Sequence, residues 1–313
     1  MKDNFIISLE AVLPMFLLMA AGVAVKKSGL LSAAEVKKLN HMVFVVFFPA
    51  MMFSNLYGND IEDAVNGKLI AFGIISVLLI YFATVAFVLS LEKRPKSRGA
   101  MIQAIYRSNF VIMGIPIAVN MFGHGNLAVT AMMVSVIVPI YNVLAVITLE
   151  IFRGSRPSAV HILKNLGRNP LILGAAAGIA AVLSGIRLPQ VLENTVSDMA
   201  GVATPMALVI LGASIDFKSI GECGRNLIIC VTGRLIVVPA IGLTVAALMG
   251  FRDIAYVTLI AIFASPTAVS SFAMAESMDS DGQLAGNCVV FSSAFSCITM
   301  FFWIFISKNL GMF

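Results

Sequence analysis

The sequence predicts an all-α integral membrane protein of ten transmembrane helices, built as two five-helix halves that enter the membrane in opposite senses. Three observations lead there: the density of apolar residues, the alternation of basic residues between loops, and matched proline breaks in the two halves. Of 313 residues, 59% are hydrophobic and 12% charged, against roughly 45–50% and about 25% in soluble domains. A spanning helix needs roughly 20 mostly apolar residues, and the chain offers many such windows.

Taken in order, the apolar stretches run at about 4–25, 35–57, 68–91, 100–122, 126–152, 169–187, 190–215, 225–250, 253–277 and 282–306. The first is too long for the h-region of a secretory signal, contains Glu10 and Pro14, and is followed by further spans, so it reads as a span. Lysine and arginine are retained on the cytoplasmic side of short loops. The loops after the first, third, fifth and seventh stretches carry fourteen of them; the opposite side has five, Lys2, Lys68, Arg187, Arg252 and Lys308. One loop on that side, "GNDIEDAVNG", is acidic. Ten helices with both termini outside the cytoplasm satisfy this split. The net charge of +5 is then a signature of topology and requires no nucleic-acid partner.

The polar stretch "RGSRPSAVHILKNLGRNP" divides the chain into a first repeat at 1–152, a cytoplasmic linker at 153–168 and a second repeat at 169–313. Pro49 in the second stretch has a counterpart in Pro205 of the seventh. Gly114 and Pro116 in the fourth have theirs in Ser265 and Pro266 of the ninth, at similar intervals of 67 and 61 residues between the prolines. Five helices per half is odd, so the second copy must be inverted. Matched Gly/Pro interruptions in inverted halves point to a transporter's binding site.

Proline lacks an amide hydrogen and crowds the carbonyl four residues back. Pro116 is therefore expected to free the carbonyl of Ile112, and Pro266 that of Ile262, each opening a new helical segment. Ser265 is the expected N-cap, with the hydroxyls of Thr267 and Ser270 nearby. Unpaired backbone costs several kcal/mol in hydrocarbon, so such breaks persist only inside protein or beside a wet cavity. Two half-helices starting near mid-membrane would aim positive dipole ends and N–H groups at one point, which suits a carboxylate. Asn109 can donate and accept hydrogen bonds at the same depth.

Four segments carry a family resemblance: "SGLLSAAEVKKLNHMVFVVFFPAMMFSNL" (28–56), "RSNFVIMGIPIAVNMFG" (107–123), "PIYNVLAVITLE" (139–150) and "SPTAVSSFAMAESMDSD" (265–281). In this order they resemble the auxin efflux carrier family, bacterial relatives of the plant PIN-type exporters, often described as malate or malonate permeases. The resemblance implies a five-plus-five inverted repeat similar to bile-acid symporters and sodium/proton antiporters, with broken fourth and ninth helices crossing at the membrane centre. It implies a scaffold of helices 1, 2, 6 and 7 and a moving transport bundle of helices 3–5 and 8–10. It also adds Asn142 as a polar residue facing the central cavity, and a bacterial cytoplasmic membrane as the location. The family's plant members pair Asn and Pro directly at the crossover; here Asn109 and Pro116 are separated.

The candidate substrate-binding set is thus Asn109, Gly114, Ile115, Pro116, Asn142, Ser265, Pro266, Thr267, Ser270 and Ser271. Arg234 lies within the eighth stretch, and an intramembrane charge is a functional hypothesis by default. It could neutralise a substrate carboxylate, or snorkel and pair with Asp216 or Glu276. Arg107 is expected near the cytoplasmic interface in a structural role. His41 is either a packed imidazole or a proton-coupling group. Cys223, Cys230, Cys288 and Cys297 form no CxxC and are expected as reduced thiols. Gly174 and Gly178 have the small-xxx-small spacing of a close helix contact.

The function expected is secondary transport of small organic anions, such as malate, malonate or an auxin-like acid, by alternating access around a central site. The alternative is a channel or sensor of the same fold without alternating access. Absence of GxxxxGK[ST], HExxH and GxSxG argues against P-loop hydrolysis of ATP and against an enzyme. No cofactor or metal is expected. The partners are the anion and the lipid bilayer, with a proton or sodium ion as candidate coupling ion and a homodimer as candidate assembly.

Overall fold

The computed structural model describes residues 2–57, 66–122, 127–153, 164–185, 187–215 and 224–313, leaving aside the side chains of 2–12, 115, 116, 120 and 127. Helix predominates in these residues, and every apolar stretch of the sequence is occupied by helix. In order, the helices are α1 (Lys2–Lys27), α2 (Ala33–Tyr57), α3 (Gly67–Leu91), α4 (Pro95–Tyr106), α5 (Phe110–Phe122) and α6 (Leu127–Ile151). Then follow α7 (Pro170–Leu183), α8 (Gln190–Ser214), α9 (Gly224–Leu248), α10 (Asp253–Ala264), α11 (Ser270–Ser277) and α12 (Gly282–Asn309). Six of them (α2, α3, α6, α8, α9 and α12) are long and apolar enough to cross a membrane. The fourth and ninth stretches are each two helices, α4/α5 and α10/α11, joined by short non-helical segments.

Local chemistry explains several ends. Ser32 and Glu35 form a reciprocal capping box at the start of α2, and Asp281 caps α12 by accepting from the Leu284 amide. Two helices widen into π-turns just ahead of a proline: Val43–Phe47 before Pro49, and Gly233–Val237 before Pro239. The carbonyl four residues before Pro239 belongs to Leu235, and it accepts at 2.9 Å from the indole N–H of Trp303 on α12. A side chain thus takes over the carbonyl that the proline leaves unbonded.

Glycines set two close helix crossings that mirror each other between the halves. On α1 and α8, a Cβ at Gly22 would lie 1.9 Å from the Val209 carbonyl oxygen, and one at Gly212 would lie 2.0 Å from that of Met19. On α2 and α7, a Cβ at Gly174 would lie 2.5 Å from the Pro49 carbonyl oxygen, and one at Gly178 would lie 3.1 Å from that of Phe53. The Gly174/Gly178 pair therefore packs inside the protein. The short helices fill the middle: residues 99–106 of α4 and 256–264 of α10 are buried on every side.

Candidate functional site

The two non-helical segments meet. Ser108 and Thr267 form an antiparallel bridge, and the Asn109 amide donates to the Pro266 carbonyl at 2.8 Å. The Thr267 amide donates to the Ser292 hydroxyl at 3.0 Å, and the Thr267 hydroxyl to the Ala104 carbonyl at 2.9 Å. Two broken helices thus satisfy each other's backbone, as a break enclosed in a membrane protein requires.

On one side of this contact the ends of α4 and α10 converge. The last four carbonyls of a helix have no intrahelical partner, and those of α4 can be followed one by one. Gln103 accepts from the Arg107 amide, Ala104 from Thr267, and Ile105 and Tyr106 from Arg234 at 3.2 and 3.1 Å. The same guanidinium donates to Ile262 at 2.9 Å, to Phe263, and to Ser265 at 2.8 Å. All five guanidinium N–H donors are therefore spent on backbone carbonyls, and Arg234 is 0% exposed. Its charge sits where two negative helix ends meet. It pairs with no carboxylate among the described residues, and no donor remains for a substrate; Asp216 lies outside those residues. The expectation that Arg234 binds substrate or snorkels is corrected: backbone carbonyls, invisible to sequence patterns, had the prior claim.

On the other side, the starts of α5 and α11 face a small cavity of about 40 Å³, room for a few waters. Ser108, Asn109 and Val111 line it from the first segment, and Ala268, Val269 and Ser270 from the second. Met51, Met52 and Thr204 come from α2 and α8, and Asn142 from α6. Arg107 also lines it, 3% exposed. Its guanidinium donates to Ser270 Oγ at 2.7 Å, to Asn142 Oδ1, to Gln103 Oε1 at 3.2 Å and to Met274 Sδ at 2.9 Å. Every one of these partners is neutral. Among the described residues no carboxylate forms an ion pair with Arg107. A buried charge without a counter-charge is costly, and two helix N-termini beside it add positive potential.

Arg107 is the residue that sequence reasoning placed wrongly, at the interface instead of at the centre. The signal was available: a charge and two polar residues in "RSN" within an apolar stretch mark the break better than the proline does. The expected interruption at Gly114 and Pro116 is corrected accordingly, since α5 runs unbroken from Phe110 to Phe122. Gly114 serves packing: a Cβ there would lie 2.7 Å from the Phe110 ring. The backbone of Ile115 and Pro116 is in α5, and their side chains lie outside the described residues. Ser265 is likewise no N-cap; it ends α10 in extended conformation, with its hydroxyl on the Ala261 carbonyl, and α11 starts only at Ser270.

Of the remaining candidates, Asn109, Asn142 and Ser270 reach the cavity. Asn142 donates to Val138 O and Met52 Sδ while accepting from Arg107. Pro266 and Thr267 supply the bridge behind it. Ser271 is buried beside Ser270, and its hydroxyl has no hydrogen-bond partner. His41 is exposed on α2 and away from the cavity lining, so its proposed coupling role has no geometric support. Cys230 and Cys288 are buried and Cys297 is partly buried, each outside any disulfide; Cys223 lies outside the described residues.

Two larger cavities flank the small one. The first, about 410 Å³, is bounded by Lys26, Lys37, Asn40, Ser214, Glu276 and Asn287. The second, about 340 Å³, is bounded by Phe53, Asn55, Tyr57, Val111, Glu193 and Ser197. They lie at opposite ends of α2 and of α8, and Val111 separates the second from the central cavity.

The chain matches the family described as membrane transport protein over residues 7–161 and 155–304. A protein of Methanocaldococcus jannaschii named an uncharacterized transporter is 22% identical over 312 residues, covering 97% of this chain and 100% of that protein. One of the same description from Methanothermobacter thermautotrophicus is 22% identical over 303 residues, covering 96% of this chain and 98% of its own length.

Proposed function

The chain belongs to the auxin efflux carrier-like membrane transport family, and from that premise we propose that it is a secondary transporter of small organic anions. It is a multi-pass membrane transport protein and not an enzyme. In the proposal, the anion's carboxylate lies in the cavity between the starts of α5 and α11, on the Arg107 guanidinium, with Asn109, Asn142 and Ser270 as neighbours. The observation that carries it is Arg107 itself: buried, lining the cavity, and bonded only to neutral groups.

The proposed frame is ten spans in two inverted repeats, 1–152 and 169–313, joined by 153–168, with α4/α5 and α10/α11 as crossing helices. The mirrored glycine contacts of α1 with α8 and α2 with α7 support a rigid scaffold, against which the remaining helices move. The two vestibules at opposite ends of α2 and α8, with a narrow cavity between them, favour alternating access over a continuous pore. A bacterial cytoplasmic membrane with both termini outside is the orientation proposed.

Thermal-shift measurements on purified protein against mono- and dicarboxylates, with and without sodium, test the reading. At least one carboxylate is expected to raise the unfolding temperature of the wild type and to leave that of Arg107→Gln unchanged. Equal shifts in both proteins would move the site away from Arg107. Saturable counterflow of the labelled hit in liposomes then separates a carrier from a channel.

A further inference from the structure

Helices α3 and α9 run antiparallel and are tied together at both ends. At one end the Asn226 side chain donates to the Glu92 carboxylate, which also accepts from the Lys93 and Arg94 amides. Burial opposes ionisation of that carboxyl, but donors from Arg94 and Asn226 outweigh it and pull it down to about 2, so the tie is a carboxylate tie at any physiological pH. At the other end Lys68 Nζ donates to the Met249 carbonyl at 2.7 Å and lies 5.1 Å from the Phe251 ring centroid.

Between the ties the two helices stand apart around a groove of about 590 Å³. Its walls are Leu79, Ala83 and Phe87 on α3 and Ile228, Val237 and Ile241 on α9. Leu79 is 65% exposed, Ile228 66% and Ile241 60%, so the groove opens outward from two helices that are themselves apolar enough to span a membrane. Its floor is Ile105 and Gly233, where a Cβ on the glycine would lie 3.3 Å from Ile105 Cγ1. Both floor residues adjoin the carbonyl cluster: the Ile105 carbonyl accepts from Arg234, and Gly233 precedes it.

We propose that this groove is a binding site for the acyl chain of an anionic phospholipid. The walls offer hydrocarbon and no buried charge. From Ile228 to Ile241 the groove follows α9 for about 20 Å at roughly 1.5 Å per residue, a length suited to a chain lying along the helices. At the Glu92 end, just beyond Phe87 and just before Ile228 in the chain, Arg94 is paired with Glu92 at 3.4 Å, and the exposed Lys93 and Arg225 leave net positive charge for a phosphate headgroup. At the Lys68 end the cation is held by a carbonyl and a ring, and Arg252 donates to the Ala247 and Phe251 carbonyls. The headgroup therefore belongs at the Glu92 end. The ties hold the groove open, and its occupant touches the back of the crossing without entering the anion cavity. The site does not depend on the transport reading.

The test uses the full chain in nanodiscs doped with a phosphatidylglycerol that carries a diazirine in its acyl chain. After irradiation, peptides covering 79–87 and 228–241 are expected to carry at least fivefold more label per exposed residue than the peptide covering 171–183 on α7. Unlabelled phosphatidylglycerol should compete better than phosphatidylcholine. Ala83→Trp, which fills the groove, should lower labelling there at least fivefold at an unchanged unfolding temperature. Even labelling of all exposed apolar faces in the wild type would overturn the proposal, whatever the variant does. So would labelling blocked by a second copy of the chain cross-linked through α3 or α9.

Discussion

Arg107 and Arg234 sit on opposite sides of one contact, are equally buried, and do opposite things. Around Arg234 every donor ends on a backbone carbonyl, five of them drawn from two helix ends and the turn after one. Around Arg107 the partners are an amide, a hydroxyl, a second amide and a thioether, and a cavity lies open beside them. The difference teaches that burial and charge alone do not mark a ligand site. What marks it is whether the protein has already spent the charge. At Arg234 it has, and the arginine is a staple between α4 and α10. At Arg107 four of the five donors are bonded too, but to neutral side chains, which can turn aside for a ligand as backbone carbonyls cannot.

The sharpest way to break this contrast is to remove Arg234. Arg234→Met leaves five carbonyls without donors, each a penalty of about 1–3 kcal/mol when buried. The variant is expected not to yield monodisperse protein on size-exclusion in detergent. Arg234→Lys, with three donors in place of five, should fold with a clearly lower unfolding temperature. Normal yield from Arg234→Met would mean that the carbonyls find other partners and the staple is dispensable.

Next in size is the loss at Arg107. Arg107→Gln keeps hydrogen-bonding capacity but removes the charge, so the protein should fold while counterflow falls at least a hundredfold. If this variant instead fails to fold, the two arginines are alike and the contrast collapses. Pro266→Ala and Asn109→Ala act on the segment between them. Pro266→Ala adds an amide hydrogen to the junction and relaxes its extended preference, and Asn109→Ala removes a polar group from the cavity lining. Each should abolish measurable transport with membrane insertion intact, and wild-type rates in both would remove the two segments from the transport site.

Smaller effects sharpen the picture. Asn142→Ala takes one neutral partner from Arg107 and should weaken anion affinity severalfold in a thermal-shift titration, with little change in the unliganded protein. The smallest effect belongs to the far end of the molecule, where Lys37 and Glu276 pair at 3.4 Å with the lysine 74% exposed. Exposed pairs contribute at most about 1 kcal/mol, so Lys37→Ala should leave the unfolding temperature nearly unchanged.

The positions of the helices were legible because hydropathy, proline and glycine all punctuate the chain locally. The meeting of "RSN" with "SPT" was legible in outline, from matched prolines in two halves. The break itself was misplaced from 107–109 to Gly114 and Pro116, because a proline was assumed to cost its helix more than a polar triplet does. In α5 the helix simply runs on through Pro116. The role of Arg234 could not be read at all, since its partners are main-chain atoms of residues as plain as Ile105, Ile262 and Phe263. Backbone acceptors have no residue identity, so no spacing or motif announces them.

The hydrogen bond from Trp303 to the Leu235 carbonyl has a practical consequence. The chain has one tryptophan, and its ring nitrogen is fixed to the residue directly after Arg234. Its fluorescence is therefore a label-free optical readout of α9 against α12, close to the staple that joins the ends of α4 and α10. Emission recorded during ligand titration would report rearrangement at that point from a single native chromophore.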